Sequence, residues 1–539
     1  MLREPLSAWA AEPFDLLVIG GGATGLGVAL QAALEGRRVA LVEARDFACG
    51  TSSRSTKLLH GGVRYLAQGR ISLVREALRE RATVLGLAPH LAQPLPFVVA
   101  ETGWLSWGIT AIGLKLYEWL AGRMSLGVTQ TLSASTLQRL VPGLPRKLPG
   151  VRYWDGQFDD ARLALALAQT AQQAGARLRN HTAVTALQPD GQGWRAALRD
   201  ELNGQTEQIT ARCVVNAAGV WVDRLRGMAH GQSAAAPAPK PLVQPSQGVH
   251  LVVDRATLPL SEAVLVPRTS DGRVLFAVPW LGATVIGTTD TPRTDAPLEP
   301  APMAEELAFL FNETRRCLGV ALQPQHIQSV WVGLRPLVSV AHSSGGSGAS
   351  GGSTSGLSRE HVIAREQTGF WTVTGGKWTT YRSMAADVLA RMVAQGDLPA
   401  AAAPGDTTQH RLAGAPGEGV RCPSLRDAPG LHLFGSLADQ VTALPGHDVA
   451  LGLGLTEAIV RYSARHEWAV TVEDMLARRW RVLFLDARLA EQLAPRVAAL
   501  LQQETGLDPQ LEPFLALCRQ YRLPGADGSG ASPTLENAS

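Results

Sequence analysis

The chain has 539 residues, too many for one compact core, so two or three domains sharing a buried site are expected. Its 50 lysines and arginines against 47 aspartates and glutamates leave a formal net charge of +3, which excludes the strong basic field of a nucleic-acid-binding protein. A composition of 45% hydrophobic and 18% charged residues is that of a packed globular protein and excludes global disorder.

The five cysteines, Cys49, Cys213, Cys317, Cys422 and Cys518, are scattered and odd in number, with no CxxC spacing. Neither a disulfide framework nor a metal site is expected, and a reducing cytoplasm fits. Residues 1–12 lack the basic start and apolar run of a signal peptide.

Residues 14–19 read as a buried parallel strand, 23–35 as a helix and 38–42 as a second strand, a βαβ opening that sets the fold class as α/β. Gly20, Gly22 and Gly25 form GxGxxG between the first strand and the helix, where glycines permit the tight turn and the approach of a pyrophosphate to the helix N-terminus. Glu43 closes the second strand, eighteen positions beyond Gly25, where a carboxylate can accept hydrogen bonds from adenosine ribose hydroxyls. Strand, helix, strand and acid together point to dinucleotide binding. The polar loop 49–56 then offers small donors, Thr51, Ser52 and Ser53, which suit the long FAD, whose phosphates and ribityl chain run onward; a merely solvated loop is the plainer alternative.

An Arg/Glu-rich helical pattern covers 71–87, followed by a Pro-punctuated region to about residue 150. Within it, 104–121 is the most apolar stretch, but Lys115, Glu118, Gly108 and Gly113 interrupt it, so it reads as a buried or surface-lying helix rather than a membrane span. Residues 162–174 are again helical, and the apolar strand 212–215 runs into Asn216, Ala217, Ala218 and Gly219, where the dinucleotide domain resumes after an insertion. Alternation over 248–253, 274–278 and 284–287 predicts antiparallel strands of a separate, substrate-facing sheet. Residues 342–356 are almost entirely Gly and Ser and read as a surface loop.

Gly375 and Gly376 precede a helix predicted over 379–394, with Thr379 at its start. A helix N-terminus aimed at the flavin N1 and C2 carbonyl would stabilise the charge of the reduced ring; an ordinary glycine turn is the alternative. Beyond the Ala/Pro-rich 399–404 the chain is mostly helical to about residue 522, and 525–539 read as a loose tail. The expected architecture is a Rossmann-like FAD-binding domain (1–75, 151–240 and 357–398), an interwoven antiparallel-sheet substrate or cap domain (76–150 and 241–341), the Gly/Ser loop 342–356 and a C-terminal helical domain (399–539).

At this point a family resemblance becomes specific. Residues 51–66, TSSRSTKLLHGGVRYL, resemble the signature of the FAD-dependent glycerol-3-phosphate dehydrogenases. FDDARL (158–163), VVNAAGVWVD (214–223), IGTTDTP (286–292), LRP (334–336) and GGKWTTYR (375–382) are similar to the family's pattern and stand in the same order, so the resemblance covers nearly the whole chain. It implies oxidation of sn-glycerol 3-phosphate to dihydroxyacetone phosphate by hydride transfer from C2 to flavin N5, with electrons passed to a membrane quinone. It also implies a peripheral position on the inner face of the cell membrane, with 104–123 and 377–391 as the candidate contact segments and core helices as the plain reading of both.

The family's anion-binding positions map onto Arg64, Tyr65, Arg335, Arg359 and Lys377. A phosphate dianion needs several donors, which arginine supplies as a fork and lysine as a point charge; each cation taken alone reads as a solvated or ion-paired residue. Arg359 follows the Gly/Ser insert and is assigned less directly than Arg335. His250, in GVHLVV, matches a histidine of the family's substrate side and is the candidate to take the C2 hydroxyl proton, with a hydrogen-bonded strand histidine as the plain reading. His60, in LLHGG, is the rival, or positions the flavin ring.

The sequence leaves other readings open: an amino acid or 2-hydroxy acid as substrate, oxygen as the electron acceptor, and a flavin held only as a structural element. It is silent on whether the chain forms a homodimer. Noncovalent FAD is the default expectation.

Overall fold

The computed structural model describes residues 3–66, 69–100, 103–144, 149–191, 193–231, 240–338 and 361–523; of Arg64 and Tyr65 only the backbone is described. The chain opens with β1 (Phe14–Ile19), α1 (Ala23–Leu34) and β2 (Val39–Val42), then β3 (Leu58–Leu59), α2 (Val63–Leu66), α3 (Ile71–Leu87), β4 (Ala92–Ala100), α4 (Trp104–Ala121), β5 (Gln130–Leu132), α5 (Ala134–Leu140) and β6 (Gly150–Phe158). It continues through α6 (Asp160–Gln173), β7 (Arg177–Arg179), β8 (Thr182–Asp190), β9 (Gly193–Asp200), β10 (Thr206–Asn216), α7 (Val222–Ala229), β11 (Val243–Asp254), β12 (Ala263–Val266), β13 (Leu275–Trp280), β14 (Ala283–Gly287) and β15 (Thr291–Pro292). After α8 (Ala304–Leu318) come β16 (Ile327–Val338), β17 (His361–Gln367), β18 (Phe370–Gly375) and α9 (Tyr381–Ala394). The C-terminal part carries α10 (Ala438–Thr442), α11 (Glu457–His466), a π-helical turn (Asp474–Arg479), α12 (Val482–Leu485), α13 (Ala487–Thr505) and α14 (Leu511–Gln520).

Among the described residues two large sheets form the frame. The first runs β17-β18-β10-β1-β2-β7, with β8 and β9 continuing from β10. Its centre is parallel, β1 pairing with both β2 and β10, and the uninterrupted apolar runs of β1 and β2 are buried because α1 and α6 cover one face while β8, β9 and α7 cover the other. The second sheet runs β15-β11-β14-β13-β12-β4-β6-β3, with β16 on β11 and β5 on β6. The period-2 alternation read in β11, β13 and β14 comes out as antiparallel pairing, whereas β12 and β4 pair in parallel.

Sheet membership departs from the expected boundaries at two strands, and β3, expected within 1–75 of the FAD-binding domain, pairs with β6 in the second sheet. β6 pairs along its whole length with β4, so 151–158 belong to the second sheet, and the return to the dinucleotide sheet begins only with α6. The physical reason is that β6, with apolar residues on both sides of its pairing, is compatible with either sheet until its partner is known. The C-terminal region also differs from the expectation of near-continuous helix: between α9 and residue 430 it runs without α-helix, through Pro- and Gly-rich turns.

Helix α4 resolves the apolar stretch as surface-lying. Leu114, Tyr117 and Leu120 point inward, while Trp104, Leu105, Ile109, Ile112 and Trp119 are exposed, Leu105 at 81%. The other candidate contact segment is a core helix: Met384, Val388, Leu389 and Met392 of α9 are buried. No helix among the described residues is long and apolar enough to cross a membrane. The Gly/Ser insert and the tail from 525 lie outside the described residues.

The C-terminal part is tied to the loop after β2 by buried charge. Arg478 and Arg479 both reach Asp46, and Arg481 donates to the Ser53 carbonyl at 2.7 Å. Asp46, His181 and Asp474 stand close enough to share a cation, but the two arginines already supply the positive charge there.

Candidate active site

One cavity of about 1800 Å³ runs between the two sheets and is lined by residues of the GxGxxG turn, the loop after β2, and the facing strands β11 and β16. Gly20, Gly22, Glu43, Thr51, Ser52, Gly219, Gly375, Gly376, Lys377 and Thr379 all line it, as do His60, His250 and Arg335. The sequence-predicted site residues therefore converge, with five exceptions. Gly25 and Ser53 do not line the cavity, the side chains of Arg64 and Tyr65 are not described, and Arg359 lies outside the described residues.

The roles of the glycines separate once the turn is seen. A Cβ on Gly25 would collide with the Gly20 carbonyl, so Gly25 serves the close packing of helix against turn. Gly20 adopts φ 115° against the Ala217 carbonyl, a conformation left to glycine. Gly22, the residue before α1, faces Ser52, whose hydroxyl accepts from the Ala23 N–H at 3.0 Å. Ser53 is buried, and its carbonyl serves Lys57 and Arg481.

Glu43 accepts from the backbone of Gly21 at 2.7 Å and of Arg45 at 2.9 Å, and burial pushes its carboxyl above the usual range. These bonds fix the carboxylate at the end of β2, where the ribose is expected. Trp378 donates to the Ser52 carbonyl at 2.8 Å, joining the start of the α9 segment to the flavin-side loop. A Cβ on Gly219 would meet nothing within 4 Å. A helix N-terminus with a glycine approach, a ribose carboxylate and open backbone at Gly219 fit FAD.

On the substrate side, strand register does the positioning. His250 on β11 lies opposite Trp331 on β16 and Gly287 on β14, and Ser246 lies opposite Arg335. The imidazole stacks on the Trp331 indole, 4.0 Å between centroids and 17° from parallel. Its Nε2 is 3.0 Å from the Thr56 hydroxyl, its Nδ1 is buried with no hydrogen-bond partner among the described residues, and Gly287 leaves room for the ring. Burial first, then the Lys57 and Arg335 charges, hold the His250 pKa well below the usual imidazole range.

Arg335 donates to the Thr288 hydroxyl at 3.1 Å and approaches Asp290 at 3.4 Å. His60 is a third exposed, contacts the Phe276 ring at 5.3 Å, and has Nδ1 3.9 Å from Asp155. Asp155 is buried, and Arg81 and His60 keep its carboxyl in the low range against the opposing push of burial. Thr379 donates to the His60 carbonyl at 3.3 Å.

Sequence reasoning missed Thr56, Thr288, Asp290 and Asp155. The first three stand inside the quoted segments TSSRSTKLLHGGVRYL and IGTTDTP, so the segments themselves were the available signal.

Residues 15–394 match the family described as "FAD dependent oxidoreductase", and residues 430–512 match the "C-terminal domain of alpha-glycerophosphate oxidase". The mitochondrial glycerol-3-phosphate dehydrogenase of Arabidopsis thaliana is 38% identical, over 93% of this chain and 84% of that protein. The chain belongs to the FAD-dependent glycerol-3-phosphate dehydrogenase family. The mitochondrial glycerol-3-phosphate dehydrogenase of Homo sapiens is 39% identical, over 94% of this chain and 73% of its own length. Among solved structures, the glycerol-3-phosphate dehydrogenase from Bacillus halodurans complexed with FAD superposes with a TM-score of 0.73 at 28% identity, covering 96% of each chain. The cofactor of this family member is FAD.

Proposed function

We propose that the protein oxidises sn-glycerol 3-phosphate to dihydroxyacetone phosphate and passes the electrons to a membrane quinone. The observation that carries the reading is the convergence of Arg335, Lys377, His250 and His60 on the one cavity that also holds the dinucleotide-binding turn. Flavin N5 supplies the hydride acceptor for C2 when FAD is bound. Arg335, held by Thr288 and Asp290, presents its fork to the phosphate, and Lys377 adds a point charge beside the first turn of the α9 segment. Arg64, Tyr65 and Arg359 complete the anion site by family resemblance.

His250 takes the C2 hydroxyl proton. Thr56, which lines the cavity, accepts that proton's hydrogen bond and passes its own hydroxyl proton to Nε2. A depressed imidazole pKa keeps this acceptor uncharged at neutral pH. His60, backed by Asp155, positions the ring end of the cofactor.

The acceptor reading rests on α4. Its exposed stripe of Leu105, Ile109, Ile112, Leu116 and Trp119 follows helical spacing, and Ile109 and Leu116 also line the cavity. A contiguous exposed apolar face of this kind marks an interaction surface, and here it joins a cytoplasmic bilayer surface to the reaction chamber. The testing experiment is Arg335→Ala assayed with glycerol 3-phosphate and with glycerol. Charge-assisted hydrogen bonds contribute roughly 1.5 to 3 kcal/mol each, so the phosphate substrate should lose about tenfold to a hundredfold in kcat/KM while slow glycerol turnover is unchanged. Equal loss for both substrates, or for neither, would remove the phosphate clamp.

A further inference from the structure

Lys57 sits in the middle of the flavin-side loop, yet the proposed reaction does not use it. Thr56 and Leu58 on either side line the cavity, while Lys57 is fully buried and does not. Its Nζ donates to the Ser53 carbonyl at 2.7 Å and to both Asp160 oxygens at 3.0 and 2.8 Å. It also lies 4.6 Å from the centre of the Trp331 ring, 5.1 Å from Trp280 and 5.4 Å from Phe484. Trp331 is the ring on which His250 stacks.

We propose that Lys57 is a positioning residue for His250: through the Trp331 indole that both contact, its ammonium holds the imidazole in the stacked, uncharged form that accepts the hydroxyl proton. The inference rests on the reading of His250 as the base. Two consecutive residues then address one imidazole, Thr56 at its Nε2 edge and Lys57 through the indole on which it stacks. The chain reaches this arrangement through a left-handed backbone at Lys57, φ 64°, which residues with a Cβ rarely adopt.

A purely structural role accounts for less. Asp160 already accepts from the Ser55 and Ala161 N–H groups and the Ser55 hydroxyl, and Arg481 lies 3.4 Å away, so it keeps an ion-pair partner and three donors without the lysine. An apolar side chain of the same length would pack on the three rings without the desolvation cost of a buried ammonium.

The electrostatics agree. The charges that bear on His250 among the described residues are two cations, Lys57 and Arg335, and both oppose its protonation. Lys57 itself, facing Arg481, Asp160 and Asp159, is pushed down to about 7 by burial and by Arg481. It is therefore charged in the acidic range, where the imidazole would otherwise gain a proton.

The test is anaerobic stopped-flow reduction of the holoenzyme flavin by glycerol 3-phosphate across pH, for the wild type, Lys57→Met, His250→Asn and the double variant. Lys57→Met should retain flavin and move the acid limb of the rate upward by about one pH unit, which is about a tenfold loss on that limb. In the His250→Asn background the same change should add no more than about twofold, since residues acting through one group are not additive. An unmoved acid limb, or the same penalty with and without His250, overturns the proposal. Near-wild-type reduction by His250→Asn alone overturns the base assignment instead, and with it this inference. If Lys57→Met does not hold flavin, Trp331→Leu carries the test: non-additivity with His250→Asn supports the stack, and additivity refutes it.

Discussion

Gly248 and Arg335 are packed so closely that a Cβ on the glycine would collide with the guanidinium. The strand-paired glycine thus sets where the fork lies, across β11 and over Thr288. Gly248→Ala should displace the fork without removing its charge. We expect about a tenfold rise in KM for glycerol 3-phosphate, because a small misplacement of a bidentate clamp is costly, with glycerol turnover unaffected. Steady-state kinetics with the two substrates checks this, and an unchanged KM would mean that the fork does not meet the phosphate.

The cofactor turn gives a second prediction. Gly22 faces the Ser52 hydroxyl at the mouth of α1, so Gly22→Val places a branched side chain where the pyrophosphate is to lie. The variant should purify colourless yet folded by circular dichroism. Full flavin occupancy would dissociate this turn from FAD.

The α4 face yields a prediction about lipid. Ile112 and Trp119 are more than 70% exposed, so the double change Ile112→Ser and Trp119→Ser should leave folding and flavin content intact. Removing two large apolar side chains from a bilayer contact costs roughly 1.5 to 3 kcal/mol each, so vesicle co-sedimentation should weaken by about a hundredfold or more. Quinone-analogue reduction in the presence of vesicles should fall with it. Unaltered partitioning would leave α4 without a membrane role, and hydrogen peroxide released in proportion to turnover would favour oxygen as acceptor.

A pH prediction comes from His90, whose pKa is pushed down to about 3 by burial and by the Arg162 and Arg411 charges. The unfolded chain takes up this proton near pH 6.5 and the folded chain does not, so the contribution to stability is present above that value and is lost as the pH falls toward 3. By pH 5 one such histidine has cost about 2 kcal/mol. His90→Gln should therefore show a shallower fall of Tm between pH 6.5 and 5 than the wild type, measured by calorimetry on the holoenzyme. Parallel slopes would show that His90 gains its proton in the folded state.

Much of the frame was legible because it is local. The apolar runs of β1 and β2, the 3.6-residue period of α3 and the spacing of Gly20, Gly22 and Glu43 each report on a few adjacent residues. What escaped depends on contacts distant along the chain. The stack of His250 on Trp331 needs β11 beside β16, and the support of His60 by Asp155 needs β6 in the second sheet. Lys57 reads as one more loop cation until Asp160 and three aromatic rings close around it. The split of α4 into a buried and an exposed face was equally hidden, since its apolar residues nearly encircle the helix.

Reduction of the flavin by glycerol 3-phosphate is measured by mixing the purified holoprotein with glycerol 3-phosphate under anaerobic conditions and following the flavin absorbance. The oxidised flavin band should bleach with formation of one dihydroxyacetone phosphate per flavin, and should recover when a quinone analogue is added. A flavin that stays oxidised with glycerol 3-phosphate but bleaches with an amino acid or a 2-hydroxy acid would contradict the proposed function.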